Sequence, residues 1–512
     1  MNSCGTEAYI VSRTAPVDAP TLFRVLARQR GWTRWEVFSI HFDKAASDLV
    51  RENGLLKPTG VARRTFDRWV SGDWHGTPRP DTSLVLERLF GVPVAELFRA
   101  APEVLRASAT PLPRSHLQAA QDIDARWSTS RLSLSADNAG SWHTWELEGR
   151  RIFDGTSLAV HFQAGDYRNG VLNLGVTDRL RQFLRPVRRG AVLATLDDAD
   201  GRVRTYVLDA RTARGLLPAD IGGAIPVDEV QELDDLTFGL IWAIANADDG
   251  LLADDHLLDG QQDALSSFLK LPSSALSKSW VPGLSAVGAS WMGSYFCARH
   301  ISARLTGTSG LPSYWTREQF GEEAVGWLLY THKHAYLRTT QSLSSSAVEP
   351  VTRTFCIPEA SVLDSQPYER LLLFLAIALM EMHHITVRVC SEQEFSTVDG
   401  FVLIPHQQAI VANWVRSEEM WQASTTSSRP QLRSYADTVG QAGVHDVIAG
   451  PTPLHRLQAL AAYLHLDWAW LTRRCRALGE QGVCSVIQPR SRLLSTDELD
   501  AVLAYVGSLS AV

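Results

Sequence analysis

The stretch GVARRTFDRWVSGDW, Gly60–Trp74, decides what kind of fold the first part of the chain can adopt. Its apolar residues recur at spacings of about three and four, which places them on one face of a helix. They are Val61, Phe66, Trp69 and Val70. The other face carries Arg63, Arg64, Asp67 and Arg68. Because Gly72 follows directly, we expect a short amphipathic helix that ends near that glycine.

Helices are also predicted on both sides of this stretch. Thr21–Trp32 has helical periodicity, and Pro78–Phe98 predicts two helices separated by a break that begins at Gly91. Asp81 or Thr82 is expected to cap the first of these two helices. The apolar residues expected to complete the core are Leu22, Val25, Leu26, Val94, Leu97 and Phe98.

These motifs together resemble a known family. The order V-x-R-R-T-x-x-R-W-x-x-G, P-x-P-D-T, L-x-x-L-F-G-V-P-V-x-E-L-F is similar to the lambda-repressor-like (XRE-type) helix-turn-helix regulators, in the actinobacterial form with a large C-terminal body. The resemblance implies a DNA-binding domain over residues 20–100. It departs from the family pattern at Trp35–Thr59, which lengthens the segment before the recognition helix.

The resemblance also implies the residues that contact DNA. They are Arg63, Arg64, Thr65 and Arg68, and Asp67 joins the site because it shares the exposed face. The planar fork of an arginine can bind guanine O6 and N7 together, or a phosphate. Residues 21–99 hold 13 Lys or Arg against 9 Asp or Glu, a net charge of +4 within a chain of −7. A basic head on an acidic body favours double-stranded DNA as the partner of the head.

The rest of the chain alternates between strand-like and helix-like patterns. We expect an α+β multidomain protein, with an N-terminal all-α helix-turn-helix domain followed by a mixed β-rich and helical body. The expected parts are the helix-turn-helix domain at 20–100, a linker at 101–118, a β-rich module at 119–225, a helical module at 226–345, an α/β module at 346–450 and a C-terminal helical segment at 451–512.

Two local patterns in the body give sharper expectations. LDDADGRVRTYVLD predicts a β-hairpin with its turn at Asp200–Gly201, in a sheet that is mostly antiparallel. GEEAVGWLLYTHKHAYLR, residues 321–338, predicts an amphipathic or buried helix.

A second arginine-rich helix pair is predicted near the C-terminus, at His455–Gly482. Its second helix carries Arg473, Arg474 and Arg476. The pair is either another helix-turn-helix or an α-hairpin with a solvated basic face.

The remaining polar residues show no catalytic or metal-binding spacing. His332 and His334 are two residues apart, whereas helical zinc ligands prefer a spacing of four, so we expect solvated histidines. Glu381–His384 also lacks that spacing, and the acidic run Ala247–Asp259 is expected to be a solvated surface. No nucleophile or nucleotide-binding motif occurs, so we expect a protein that is not an enzyme and has no metal or cofactor.

Cysteine spacing and hydropathy together predict the cellular compartment of the protein. No CxxC occurs among the six cysteines, and we expect buried free thiols. No apolar run reaches the roughly 18–20 residues of a membrane helix, and the N-terminus lacks a secretory pattern, so a cytoplasmic protein is expected.

These observations together predict a sequence-specific DNA-binding transcriptional regulator. The body is expected to form a homodimer and is a candidate for binding a small-molecule effector. Four tryptophans, Trp280, Trp291, Trp315 and Trp327, fall in the helical part of the body, where they either line an aromatic pocket or fill the core, and the sequence singles out none of them as a ligand contact. The alternatives are an interaction scaffold whose head docks a protein partner, and an enzyme tethered to DNA.

Overall fold

The computed structural model shows a mixed α+β protein. It describes residues 21–30, 32, 35–53, 59–72, 74, 76–101, 113–134, 142–168, 171–186, 189–197, 202–218, 223–277, 281, 283–306, 308, 310–344, 350–417 and 420–509. Its contacts form two compact units, Met1–Leu117 with Ser133–Thr144, and Gln118–Leu132 with Trp145–Val512. No helix of the described residues is long and apolar enough to cross a membrane.

The described residues between 21 and 101, all in the first unit, form five helices and the segments that connect them. The helices are α1 (Leu22–Gln29), α2 (Trp35–Asn53), α3 (Arg63–Ser71), α4 (Pro80–Phe90) and α5 (Val94–Leu97). An isolated antiparallel bridge joins Thr21 to Ala100, and the Leu22 amide donates to the Arg99 carbonyl at 2.8 Å. These contacts hold the two ends of the five-helix group together.

Phe23 lies at the centre of the aromatic core of this unit. It is fully buried, and its ring centroid lies 5.3–6.4 Å from five other rings. They belong to Phe38, Phe66, Trp69, Phe90 and Phe98. The apolar face expected for α3 is confirmed, since Phe66 and Trp69 are each 1% exposed. Phe23 itself was not among the expected core residues.

The start of α4 differs from expectation. Neither Asp81 nor Thr82 caps the helix, because the N-cap is Arg79, no side chain caps it, and Thr82 is buried. Pro80 at the first helical position has no amide hydrogen to satisfy and fixes φ near its helical value, so a proline can begin the helix instead. The expected break is confirmed, since Gly91 ends α4 with a φ of 69°.

A helix, α6 (Arg114–Arg126), precedes a seven-stranded sheet. The strands are β1 (Ser130–Ser133), β2 (His143–Leu147), β3 (Thr156–Arg168), β4 (Val171–Gly175), β5 (Gly190–Asp197), β6 (Val203–Asp209) and β7 (Ala224–Val227). Their order is β1-β2-β3-β4-β7, and β5 joins β3 to β6. Two short helices, α7 (Asp178–Leu184) and α8 (Ala210–Gly215), follow β4 and β6.

The expected hairpin is confirmed in this sheet. β5 and β6 pair antiparallel with Asp197 opposite Val203, whereas β3 and β5 are parallel. The expected turn at Asp200–Gly201 lies outside the described residues.

A second seven-stranded sheet has the order β11-β10-β9-β12-β13-β14-β8. Its strands are β8 (Ser273–Leu276), β9 (Ser313–Thr316), β10 (Thr352–Cys356), β11 (Thr386–Cys390), β12 (Phe401–Ile404), β13 (Gln408–Asn413) and β14 (Trp421–Thr426). β9, β10 and β11 are parallel, and β12 to β14 with β8 continue antiparallel. The expected division at residue 345 therefore falls between strands of one sheet.

Helices accompany this sheet along the same part of the chain. They are α9 (Asp235–Phe268), α10 (Ala286–Leu305), α11 (Gly321–Leu329), α12 (Thr331–Ser344), α13 (Glu359–Asp364), α14 (Pro367–Met382), α15 (Arg429–Val444), α16 (Pro453–Tyr463), α17 (Trp468–Gln481) and α18 (Asp497–Ser508). The buried side chain of Glu381, in α14, pairs with Arg456 of α16 at 2.6 Å. The C-terminal helices thus belong to the same compact unit as the sheet.

The helix expected over residues 321–338 is present but is interrupted at one residue. Tyr330 is extended, with φ −76° and ψ 119°, and it separates α11 from α12. It forms an antiparallel bridge with Leu494, and the Thr331 amide donates to the Leu493 carbonyl at 3.2 Å. Pairing with a segment about 160 residues later in the chain replaces helical hydrogen bonds, which a local pattern cannot reveal.

Candidate functional site

Helix α3 presents the residues that the sequence analysis placed in a DNA-binding site. Arg64, Asp67 and Arg68 are exposed, and the side chain of Arg63 is 69% exposed. Thr65 is half-buried at the edge of the core face. The opposite side of the helix is fixed by Phe66 and Trp69. The structure therefore brings the predicted residues together on one helix, with four of the five directed to solvent.

The three arginines of α3 differ in their surroundings. Arg63 forms an exposed ion pair with Glu36 of α2 at 3.4 Å. The guanidinium of Arg68 lies 5.2 Å from the centre of the Trp74 ring. Arg64 makes no hydrogen bond, ion pair or ring contact with any described residue. Of the three, Arg64 is thus the one whose charge has no role in holding the described fold.

Helix α2 supports α3, although the sequence left the identity of the supporting helix open. The indole Nε1 of Trp35 donates to the Val61 carbonyl at 3.1 Å. The rings of Phe38 and Phe66 stack with centroids 4.7 Å apart. Because Trp35 and Phe38 lie in the first turn of α2, the start of α2 packs against the start of α3.

Helix α2 makes up most of the segment Trp35–Thr59, in which the sequence departs from the family pattern. It has 19 residues and therefore extends over about 28 Å. Residues 54–58 lie outside the described part of the chain. The segment Trp35–Thr59 thus contains the helix that packs against α3.

The two ends of α3 differ in how the helix is capped. Its N-cap is Ala62, which has no side-chain acceptor, and the structure shows no side-chain cap there. The Thr65 amide donates to the Ala62 carbonyl at 2.9 Å, whereas the amides of Arg63 and Arg64 have no backbone partner among the described residues and are available to solvent or to an anion. At the other end Gly72 has a φ of 88°, a left-handed conformation that stops the helix and that glycine adopts without strain. The expected helix end is confirmed.

The arginines of the C-terminal helix pair have mainly structural contacts. Arg474 pairs with Asp234 at 2.5 Å and donates to the carbonyl of Val230. Arg476 donates to the Gly507 carbonyl at 2.9 Å. Arg473 remains exposed. The structure therefore shows α16 and α17 as a packed α-hairpin in which two of the three arginines are engaged.

The expectation of solvated histidines at 332 and 334 is wrong. His334 is 3% exposed, and its Nε2 lies 3.1 Å from the Leu328 carbonyl oxygen. His332 Nε2 lies 2.9 Å from the Ser294 hydroxyl. His383, from the segment Glu381–His384, is also buried, and its Nε2 lies 3.0 Å from a carboxylate oxygen of Glu498. Each ring is engaged by a residue of a neighbouring turn, helix or segment, which its own helical spacing could not indicate.

The acidic run Ala247–Asp259 is only partly the solvated surface that the sequence predicted, since Asp249 and Asp259 are exposed while Asp248 and Asp254 are buried. It lies within α9, where Asp248 is fully buried, pairs with Arg189 and accepts from the Arg490 amide at 2.7 Å. Asp254 is 3% exposed and accepts from the Ser285 hydroxyl at 2.6 Å. An arginine from a distant segment neutralises Asp248, and hydrogen bonds from Ser285 satisfy Asp254, so both carboxylates can be buried.

The cysteines of the described residues are free, as expected. Four are buried and Cys484 is half-buried. The buried ones are Cys297, Cys356, Cys390 and Cys475; Cys4 lies outside the described residues. Within the described part of the chain, no group of three or more His, Cys, Asp or Glu side chains is arranged to hold a metal ion.

No protein-family model, curated protein or solved structure matches this chain.

Proposed function

We propose that the chain is a sequence-specific DNA-binding transcriptional regulator that uses α3 as its recognition helix. The observation that carries the proposal is the two-sided build of α3. One face is held by the buried rings of Phe66 and Trp69, while the other exposes three arginines and Asp67. A recognition helix needs both a packed face and a polar face that can enter the major groove.

The surroundings of the arginines suggest which of them would contact bases and which would contact the phosphate backbone. Arg64, which has no described partner, is free to reach base edges, where a guanidinium binds guanine O6 and N7. Arg63 sits in the first turn beside the open amide groups that follow Ala62, a place suited to a backbone phosphate. Asp67 would accept from a cytosine amino group.

We further propose that the protein acts as a homodimer. A single head of this size buries too little surface for tight specific binding, and two-fold symmetric sites are the usual remedy. Two copies of α3 would then read half-sites about 34–36 Å apart.

The proposal is tested with the full-length protein and sheared genomic DNA from the source organism. Bound fragments are recovered and sequenced for the wild type and for Arg64→Ala. We expect the wild type to recover a shared, two-fold symmetric motif. On that motif Arg64→Ala should lose about 5-fold to 150-fold in affinity, the value of one good base contact.

Arg51→Ala is the matched control. Arg51 is an exposed arginine of the same unit, with a side chain 78% exposed. It lies 15 residues after Glu36 on α2, about 22 Å along the helix from the start of α3. The affinity of the Arg51→Ala variant for the DNA motif should stay within twofold of that of the wild type. Absence of any motif, or equal recovery by wild type and Arg64→Ala, would overturn the proposal.

A salt titration separates DNA binding from docking of a protein partner. DNA affinity should fall steeply with salt, with a log–log slope of several units, because phosphate contacts release counterions. Binding through apolar contacts would respond weakly to salt.

A further inference from the structure

Two cations are buried side by side in the second unit. Lys333 of α12 is 4% exposed, and Arg353 of β10 is 3% exposed. Both lie against one indole ring, with Lys333 Nζ 3.7 Å and the Arg353 guanidinium carbon 4.8 Å from the centre of Trp327. The break at Tyr330 makes this arrangement, because it ends the helix of Trp327 and begins the helix of Lys333.

Aromatic walls enclose the two cations. Lys333 Nζ lies 5.0 Å from the Trp414 ring, and the Arg353 guanidinium lies 4.4 Å from the Tyr314 ring. Of the four tryptophans that the sequence places in the body, Trp315 and Trp327 line this cavity. Trp291 packs elsewhere, on Tyr295, and Trp280 lies outside the described residues.

The charges of this cavity do not balance. Glu318 is a buried carboxylate in the lining, and it accepts from Trp327 Nε1 at 3.0 Å. In the described structure it forms no ion pair with Lys333 or Arg353. A third cation in the lining, Arg317, is paired with Asp399 at 3.2 Å. One buried positive charge is thus left over, and an uncompensated buried charge is costly.

Hydrogen-bond donors around the cavity are also unused. Arg353 donates Nη1–H to the Thr316 hydroxyl at 3.0 Å, but its Nε and Nη2 have no partner among the described residues. Nδ2 of Asn413, a residue only 2% exposed, has none either. These donors surround a cavity of about 50 Å³, which is larger than the space needed for one water molecule.

We propose that this cavity is a binding site for a small oxyanion, a carboxylate or a phosphate group. Its oxygens accept from Arg353, Lys333 and Asn413, and its negative charge balances the charge left over. A guanidinium fork beside an ammonium and an amide N–H suits such an acceptor. The walls of Trp327 and Trp414 exclude water, which strengthens each charged hydrogen bond.

The site is tested by titrating the full-length protein with sodium phosphate and with sodium acetate at constant ionic strength, with sodium chloride as the reference. Tryptophan fluorescence and the melting temperature are followed. We expect a saturable response with one site per chain for at least one oxyanion. Phosphate alone would indicate a tetrahedral ligand, and acetate alone a carboxylate.

Three variants sharpen the test. Arg353→Met should weaken oxyanion binding at least tenfold. Asn413→Asp keeps the oxygen that accepts from the Gly400 amide at 2.6 Å but replaces the unused donor with a negative oxygen. It should weaken binding at least tenfold and raise the melting temperature in chloride, because the new carboxylate supplies the missing charge. Arg473→Met, which removes an exposed arginine of the same unit, should bind within twofold of the wild type.

A purely structural role for the cations predicts different results. If neither oxyanion differs from chloride, or if Asn413→Asp binds like the wild type, the site is overturned. Should Arg353→Met fail to fold, Asn413→Asp alone decides. No DNA is present, so the outcome is independent of the function proposed for α3.

Discussion

The exposed arginines of α3 and the buried cations around Trp327 use the same chemistry in opposite settings. Arg64 is exposed to water, where an unpaired charge costs little free energy and is accessible to an anionic partner. Lys333 and Arg353 are nearly inaccessible, where an unpaired charge is costly and calls for a compact partner. The comparison shows that burial decides whether an unpaired cation lowers the stability of the fold or leaves it nearly unchanged.

The largest expected effect lies in the core that holds α3. Phe23→Ala should destabilise the first unit by about 3–5 kcal/mol, because it removes a fully buried ring that contacts five others. Arg64→Ala, on the exposed face, should change stability by less than about 0.5 kcal/mol. Chemical denaturation measures both. A similar loss of stability in the two variants would break the distinction between the core that holds α3 and the exposed face of α3.

Replacing a buried cation that has an ionic partner should change stability in the opposite direction from replacing one that has none. Arg456 pairs with Glu381, and the two side chains are 10% and 2% exposed. Arg456→Met should cost about 3–5 kcal/mol, since it leaves the Glu381 carboxylate buried and unpaired. Lys333→Met should instead stabilise the protein in buffer without oxyanions. Thermal unfolding of both variants would test this contrast, and destabilisation by Lys333→Met would contradict it.

The stability gained by Lys333→Met should decrease as the pH rises. Burial lowers the pKa of Lys333 to about 8 from 10.5, opposed by the charge of Glu318. The unfolded chain therefore binds the proton more tightly, and the wild type is penalised by about 3 kcal/mol below pH 8. The penalty disappears as pH rises from about 8 to above 10.5.

The advantage of Lys333→Met should accordingly fall by roughly half between pH 7 and pH 9.5. Glu318, Arg353, Cys297 and Tyr336 face the same space and are common to both proteins, so comparing the two proteins cancels most of their contribution. Urea denaturation at several pH values measures the difference. A constant or growing advantage would show that the Lys333 ammonium is not the source.

Arg63 should contribute to the salt response of DNA binding. Losing one phosphate contact reduces the log–log salt slope by about 1. The slope should therefore be smaller for Arg63→Ala than for the wild type, and unchanged for Arg51→Ala. Equal slopes for all three proteins would show that Arg63 makes no phosphate contact.

The smallest effect is expected for the ion pair between Glu36 and Arg63. Both side chains are exposed, 46% and 69%, so Glu36→Gln should cost less than about 1 kcal/mol of stability. It should also tighten DNA binding slightly, because Arg63 is released from its partner. Stronger binding lost at high salt would support this, and weaker binding at low salt would count against it.

The sequence by itself determined the local features. The two faces of α3 follow from the spacing of Phe66 and Trp69, and its end follows from Gly72, because a helix and its stop depend on neighbours within a turn. The hairpin of β5 and β6 was predictable for the same reason. The five residues of the proposed DNA site were found from this pattern together with a resemblance to a family.

Only the tertiary structure decided which side chains are buried and with what partner. Phe23 became the centre of the core because rings from four other parts of the first unit meet there. Asp248 and Glu381 are buried because arginines from distant segments reach them. Lys333 and Arg353 meet at Trp327 only after Tyr330 pairs with a segment near the C-terminus. The free energy of a buried charge depends on contacts across the whole chain, and a local pattern does not contain them.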